Sequence, residues 1–227
     1  MKLFLRPRNS NSGVLAFDLD NTLYNNPGYI AFQEESQLSR LASFLGTELE
    51  QARQMVQEKK AQRERDGLPP TSLATIFREF GISQQQIVAW RNSELRPSDW
   101  LSRDPKLRHS IILLATQYRL ALLTNNPHKV AEESLQALGV DDLFQTIIAL
   151  DDVGFSKPHR AHFDKLMEAF GGQPEDYFVI GDRFDIDIKP ALDAGMSGIL
   201  VDEVGDIYLL PDLLLEGRSS GDLPNSL

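Results

Sequence analysis

The run VLAFDLDNTLY at residues 14–24 begins with four apolar residues, meets Asp18 and Asp20, and then turns polar. A short apolar run bounded by turn-forming residues reads as a strand buried on both faces, as in a parallel sheet. Side chains alternate along a strand, so Asp18 and Asp20 leave its carboxyl end on the same side, with Leu19 pointing the other way. Two carboxylates this close repel. They coexist beside a cation or when one keeps a proton, and either state is useful to chemistry. Open α/β sheets bind ligands at the carboxyl ends of their strands, where this pair lies. A purely structural role, an Asx turn or a loop cap, explains the stretch equally well when it is taken alone.

After the turn signal Asn25-Asn26-Pro27-Gly28 the period becomes helical, with Leu38, Leu41, Leu45, Leu49, Ala52 and Val56 three or four apart. Gly46-Thr47 divides the run, and Thr47 with Glu50 predicts a capping box opening a second helix that runs to about residue 65. Asp66-Gly67 and Pro69-Pro70 end it. Two shorter helices follow, over 73–80 and from Ser83, where Gln86 completes a second capping box. Residues 27–100 are thus expected to be helical and strand-free, with a solvated charged surface. The first 13 residues read as a leader outside the packed structure.

Beyond Trp100 the pattern alternates as in a sheet with crossover helices. Asp104-Pro105 opens a helix carrying Leu107, Ile111, Leu114 and Tyr118 on one face. Strands are expected at 120–123, 146–150, 177–180 and 198–201, with a small further one at 207–210. Between them, Asn126-Pro127 starts a helix closed by Gly139, another spans about 160–170, and a short one runs up to Gly195. The tail after Gly217 is expected to be loose.

With 227 residues, 41% of them apolar, the chain can bury a proper core as one elaborated domain or two small ones. Its net charge of -10 supplies no broad basic field and argues against nucleic acid as a partner. Without cysteine there is no disulfide framework, thiol nucleophile or cysteine metal site. The apolar run in MKLFLRPRNSNSG is too short for a signal peptide, and no later run approaches a membrane span. The expectation is a cytoplasmic protein that does not engage membranes; oligomeric state is left open.

Polar clusters therefore fall at four strand ends: Asp18/Asp20, Thr124/Asn125, Lys157 just past the third strand, and Asp182/Asp187. A hydroxyl, an ammonium and several carboxylates at one sheet edge are the parts needed for phosphoryl transfer. Asp18-Leu-Asp20-Asn-Thr22, Thr124, Lys157-Pro158 and Gly181-Asp182-Arg-Phe-Asp-Ile-Asp187 together resemble the haloacid dehalogenase-like superfamily, in order and in strand-end placement. The resemblance implies an α/β fold: a Rossmann-like three-layer core with a parallel sheet in order 5-4-1-2-3 and a small all-helical cap. Residues 1–26 and 101–227 would form the core and 27–100 the cap.

The resemblance also implies roles. Asp18 attacks phosphorus and forms an aspartyl-phosphate; Asp20 protonates the leaving oxygen and later activates water. Thr124, Asn125 and Lys157 hold the phosphate. Asp18, the Asp20 main-chain carbonyl and Asp182 bind Mg²⁺, with Asp187 binding or orienting it. The implied activity is a Mg²⁺-dependent phosphatase for a small phosphorylated metabolite. FDLDNTLY before an all-helical cap is similar to the pyrimidine 5'-nucleotidase subgroup, which points to a nucleoside 5'-monophosphate; phosphoglycolate phosphatases share much the same layout. Asp20 disfavours a dehalogenase, and Asn21-Thr22 stands where sugar phosphomutases usually show Gly-Val. A phosphomutase and a retired enzyme acting as a binding module remain the alternatives. His159/His162 as a metal pair, His128 as a substrate contact and Asp185 as an alternative ligand are weighed against surface, packing and loop roles. Trp90, Trp100 and Phe155 read as packing residues.

Overall fold

The computed structural model describes residues 1–7 and 13–215, and the expectation for the tail after Gly217 lies outside these. Strand β2, Gly13–Phe17, is buried throughout, as its unbroken apolar run demands. Its alternate side chains feed two separate cores: Leu15 and Phe17 join one, Val14 and Ala16 the other. Together with β1 (Lys2–Phe4), β3 (Tyr118–Leu123), β4 (Thr146–Ile148), β5 (Tyr177–Gly181) and β6 (Ser197–Leu200) it forms one sheet, in order β1-β6-β5-β2-β3-β4. β2 pairs in parallel with both β3 and β5, so it lies at the sheet's centre. Counting from β2, the parallel order is the expected 5-4-1-2-3.

Helices α1 (Pro27–Leu45), α2 (Leu49–Arg65), α3 (Leu73–Glu79) and α4 (Gln84–Glu94) fill the insertion after β2. They enclose a third cluster, built from Leu38, Leu41, Val56, Ile76, Phe77 and Ile87 and joined by Leu150. On one face of the sheet lie α5 (Pro105–Ala115), α6 (His128–Leu138) and α10 (Val204–Leu215). The short α7 (Leu150–Val153) follows β4, while α8 (Ala161–Phe170) and α9 (Lys189–Asp193) cover the other face, giving three layers. No described helix is long and apolar enough to cross a membrane.

Three local expectations are corrected. The N-terminal residues are not a leader: β1 pairs antiparallel with β6. Arg6 fastens it, donating from Nη2 to Leu192 O at 2.8 Å and from Nε to Met196 O at 3.2 Å. The expected strand at 207–210 is the middle of α10. Ile207, Leu210 and Leu214 recur at helical spacing, and a short apolar run alone does not distinguish the two states. Thr47 does not cap α2; Glu48 holds that position and the Thr47 hydroxyl bonds the Gln51 side chain. By contrast, the Ser83 hydroxyl accepts from Gln86 N at 3.1 Å, as a cap should.

Candidate active site

Asp18 directly follows β2, and its N–H donates to Ile180 O at 2.8 Å, so the strand ladder fixes its backbone. Lys157 arrives on the loop after α7. Its N–H donates to Asn125 Oδ1 at 2.6 Å and its carbonyl accepts from Asn125 Nδ2 at 3.3 Å, a clamp between two strand ends. The Lys157 side chain is fully buried, and Nζ donates to Asp18 Oδ1, Asp187 Oδ1 and Leu123 O, each at 2.7 Å. An ammonium has three donors, so all are engaged. Burial works against the Lys157 charge, but Asp18 and Asp187 outweigh it and hold the pKa above its ordinary value. Lys157 is the counter-ion of both aspartates.

Asp187 reaches this point because the chain folds back on itself. A wide turn over Phe184–Ile188 carries the Asp187 N–H to Arg183 O at 2.9 Å. The side chain then lies over Gly181, where an added Cβ would stand 2.7 Å from the Asp187 Cβ. Only glycine leaves that room. Asp18, Asp182 and Asp187 consequently place one carboxylate oxygen each within 4.8 Å of one another. Asp182 Oδ1 is buried with no hydrogen-bond partner, and Arg183 Nε approaches it only to 3.6 Å. Burial, followed by the charge of Asp18, pushes the Asp182 pKa up to about 6. An orphaned carboxylate oxygen within a set of hard oxygen donors fits a small divalent cation such as Mg²⁺. Asp185 is exposed and stands outside this set.

Asp20 has different surroundings. Its Oδ1 accepts from the Tyr24 hydroxyl and from Gln33 Nε2 at 3.0 Å, and its Oδ2 accepts from Asn126 Nδ2 at 2.8 Å. The turn after it passes through Asn21 at φ 57°, a left-handed conformation that asparagine tolerates better than most residues. Asn126 was expected to cap α6, but the helix starts at His128 and the Asn126 side chain is directed to Asp20 instead. Thr124 is buried, and its hydroxyl accepts from Asn126 N at 3.1 Å, which orders the loop behind that contact.

Gln33, on α1, begins a chain across the helical insertion. Gln37 Nε2 donates to Gln33 O at 2.9 Å, Arg91 Nε to Gln37 Oε1 at 2.8 Å, and Arg91 Nη1 to Asn125 O at 2.6 Å. The insertion is thus wired to the β3 strand end. Between the two lies a cleft of about 280 Å³, lined by Asp20, Asp182 and Arg183 on the sheet side and by Gln33, Lys60 and Arg91 on the helical side.

The structure brings Asp18, Asp182, Asp187 and Lys157 into direct contact or near it, with Asp20 and Asn125 on the same edge. The three histidines weighed earlier fall elsewhere. His128 Nδ1 lies 3.0 Å from Asp152 Oδ2, His159 stacks on Phe155, and His162 is buried and kept neutral by burial and by Lys157, with a pKa of about 3. Trp100 stacks on Tyr29 and Phe32, and Trp90 meets Phe77, as packing residues do. Tyr24, Gln33, Arg91, Asn126 and Arg183 were not singled out as site residues. Arg183 had a local signal, since it sits inside the Gly-Asp-x-x-x-x-Asp stretch.

A family model described as a haloacid dehalogenase-like hydrolase matches residues 13–195. Glyceraldehyde 3-phosphate phosphatase from Methanothermobacter thermautotrophicus is 29% identical over 196 residues, 82% of this chain and 83% of that protein. Pyrophosphatase PpaX from Bacillus mycoides is 25% identical over 218 residues, covering 91% and 93%. The crystal structure of a HAD phosphatase from Thermococcus onnurineus superposes with a TM-score of 0.59 at 21% identity, over 89% of this chain and 97% of that one. At that identity the likeness is one of fold.

Proposed function

The chain belongs to the haloacid dehalogenase-like hydrolase family, and from that premise we propose that it is a phosphatase for a small, polar phosphomonoester, working through an aspartyl-phosphate on Asp18. The observation that carries this reading is the unequal treatment of two neighbouring carboxylates. Asp18 lies 2.7 Å from a fully buried ammonium, which fixes its carboxylate at the strand end as a nucleophile needs. Asp20 faces the cleft among neutral donors, where it can exchange a proton.

An Asp18 carboxylate oxygen attacks phosphorus, the bond from phosphorus to the ester oxygen breaks, and Asp20 gives that oxygen its proton. Water then attacks the acyl phosphate, Asp20 takes its proton, and Asp18 is released with inorganic phosphate. Thr124 and the loop at Asn125 border the phosphoryl site, while Lys157 acts from beneath by holding Asp18 in place. Asp18, Asp182 and the Asp20 carbonyl would hold Mg²⁺, with Asp187 orienting them; when bound, the ion offsets the repulsion between anionic nucleophile and anionic phosphate. Chelation should abolish turnover and added Mg²⁺ restore it. Full activity in metal-free buffer would contradict the metal assignment.

Asp20→Asn is expected to slow phosphorylation by about 10²–10⁴-fold on alkyl esters and by less on aryl esters, whose leaving group needs little protonation. Because the second step is slowed too, an aryl ester should give a burst of product. Equal losses on both esters without a burst would remove Asp20 from this role.

The cleft lies just below the roughly 300–1,000 Å³ usual for larger ligands, which favours a small substrate. Its described lining carries no aromatic ring, so a nucleobase would find nothing to stack on. The names of the two relatives point the same way, to a triose phosphate and to pyrophosphate. A nucleoside 5'-monophosphate, suggested by the sequence motif, is the second class to test. We assign 27–100 as a cap that closes over the substrate and 1–26 with 101–227 as the core. A panel of phosphomonoesters assayed for inorganic phosphate tests the whole reading, since a phosphomutase would return isomerised ester and a binding module would return nothing.

A further inference from the structure

Arg91 presents a physical anomaly. It is buried, and its only hydrogen-bond acceptors among the described residues are neutral, Gln37 Oε1 at 2.8 Å and Asn125 O at 2.6 Å. No described carboxylate forms an ion pair with it, although buried charges are ordinarily paired. Nε and Nη1 are committed, which leaves Nη2 as the donor group without a described acceptor, on a residue that lines the cleft. Burial draws its pKa down to about 10 against the pull of Asp20, the expected signature of a guanidinium lacking a counter-charge.

The position of Arg91 says which part of a substrate would supply that charge. Arg91 is joined through Gln37 and Gln33 to Asp20, and both Arg91 and Asp20 line the cleft. Asp20 serves the leaving oxygen, so Arg91, on the helical side of the cleft, is placed to meet the leaving portion of a substrate whose phosphoryl group lies at Asp18. Lys60, exposed on α2, lines the same space and adds a second cation, with Glu34 the carboxylate of the helical side.

We propose that Arg91 is a specificity-determining residue that receives an anionic oxygen group on the leaving portion of the substrate, a carboxylate or a second phosphate. This deepens the phosphatase reading and rests on it. The competing role is a strut, in which Arg91 merely ties α1 and α4 to the loop at Asn125. A receptor changes the ratio between substrates, whereas a strut changes all substrates together.

The test uses three esters that differ in one group: ethyl phosphate, phosphoglycolate and ethylene glycol bisphosphate. For the intact enzyme, kcat/KM on at least one of the two esters that carry a second anionic group should exceed that on ethyl phosphate by about 10- to 100-fold. Whichever ester is preferred identifies carboxylate or phosphate as the natural group. Arg91→Gln should bring the ratio close to one, whatever loss the broken contacts to Gln37 and Asn125 impose on all three esters alike, and Arg91→Lys should restore part of the ratio. If Arg91→Gln fails to fold, the parent enzyme still decides, because equal kcat/KM on all three esters overturns the proposal. So does a folded Arg91→Gln variant that keeps the parent ratio. Absence of phosphate release from every ester instead strikes the underlying phosphatase reading.

Discussion

Asp18→Asn is expected to reduce turnover by about 10⁴-fold or more on every phosphomonoester and to leave no phosphoenzyme. The amide has no charge to attack phosphorus, and the carboxylates of Asp187 and Asp20 are engaged elsewhere, while Asp182 is assigned to the metal. Asp187 Oδ1 accepts from Lys157, and Asp20 is held by Tyr24, Gln33 and Asn126. The variant should nevertheless fold. Lys157 keeps Asp187 and Leu123 O at 2.7 Å, and removing one of three clustered carboxylates relieves the repulsion that raises Asp182. The weakened attraction between Lys157 and residue 18 opposes that relief, so stability should stay within about 1 kcal/mol of the parent. A thermal melt beside the kinetic assay separates chemistry from unfolding. Activity within tenfold of the parent would exclude Asp18 as nucleophile.

Lys157→Met should fail on both counts. The substitution leaves Asp18, Asp182 and Asp187 with Arg183 as their only close cation among the described residues. That guanidinium is 45% exposed and stands 3.6–3.9 Å from them. Removing one partner of a buried ion pair typically costs about 3–5 kcal/mol. At about 2–4 °C per kcal/mol for a chain of this size, the melting temperature should fall by roughly 6–20 °C. Had Lys157 been a solvated lysine reaching for phosphate, the fall would be a degree or two and the defect would appear mainly in KM. Melting curves recorded in chelator distinguish the two, and an unchanged melting temperature would mean that the buried cation does not hold this cluster together.

The central strand and the four polar strand ends were legible because each rests on local pattern, and the order of the strands followed from the family resemblance those motifs carry. An apolar run ending in Asp18 and Asp20, or Gly181 followed by Asp182 and Asp187, carries its signal within a few residues. What escaped reading depends on distant partners. Lys157 was legible as a site residue expected to hold the phosphate, but its full burial against two carboxylates, one beside β2 and one in the turn after β5, was not. Asn126 has good helix-cap chemistry next to Pro127, yet it serves Asp20, 106 positions earlier. Arg91 meets Asn125 across 34 positions, and nothing in its own helix announces that contact. The misassigned element at 207–210 failed differently, since four apolar residues satisfy a strand and a buried helix alike.

Covalent phosphorylation of Asp18 is the claim from which the rest follows, and rapid-quench trapping addresses it most directly. The Asp20→Asn variant, mixed with an aryl phosphate and stopped in acid within the first turnover, should carry one phosphoryl group. Peptide mapping should place it on Asp18, labile to hydroxylamine as an acyl phosphate is, and Asp18→Asn should carry none. A phosphoryl group on another residue, or release of inorganic phosphate in a single step with no trapped species in any variant, would contradict the account.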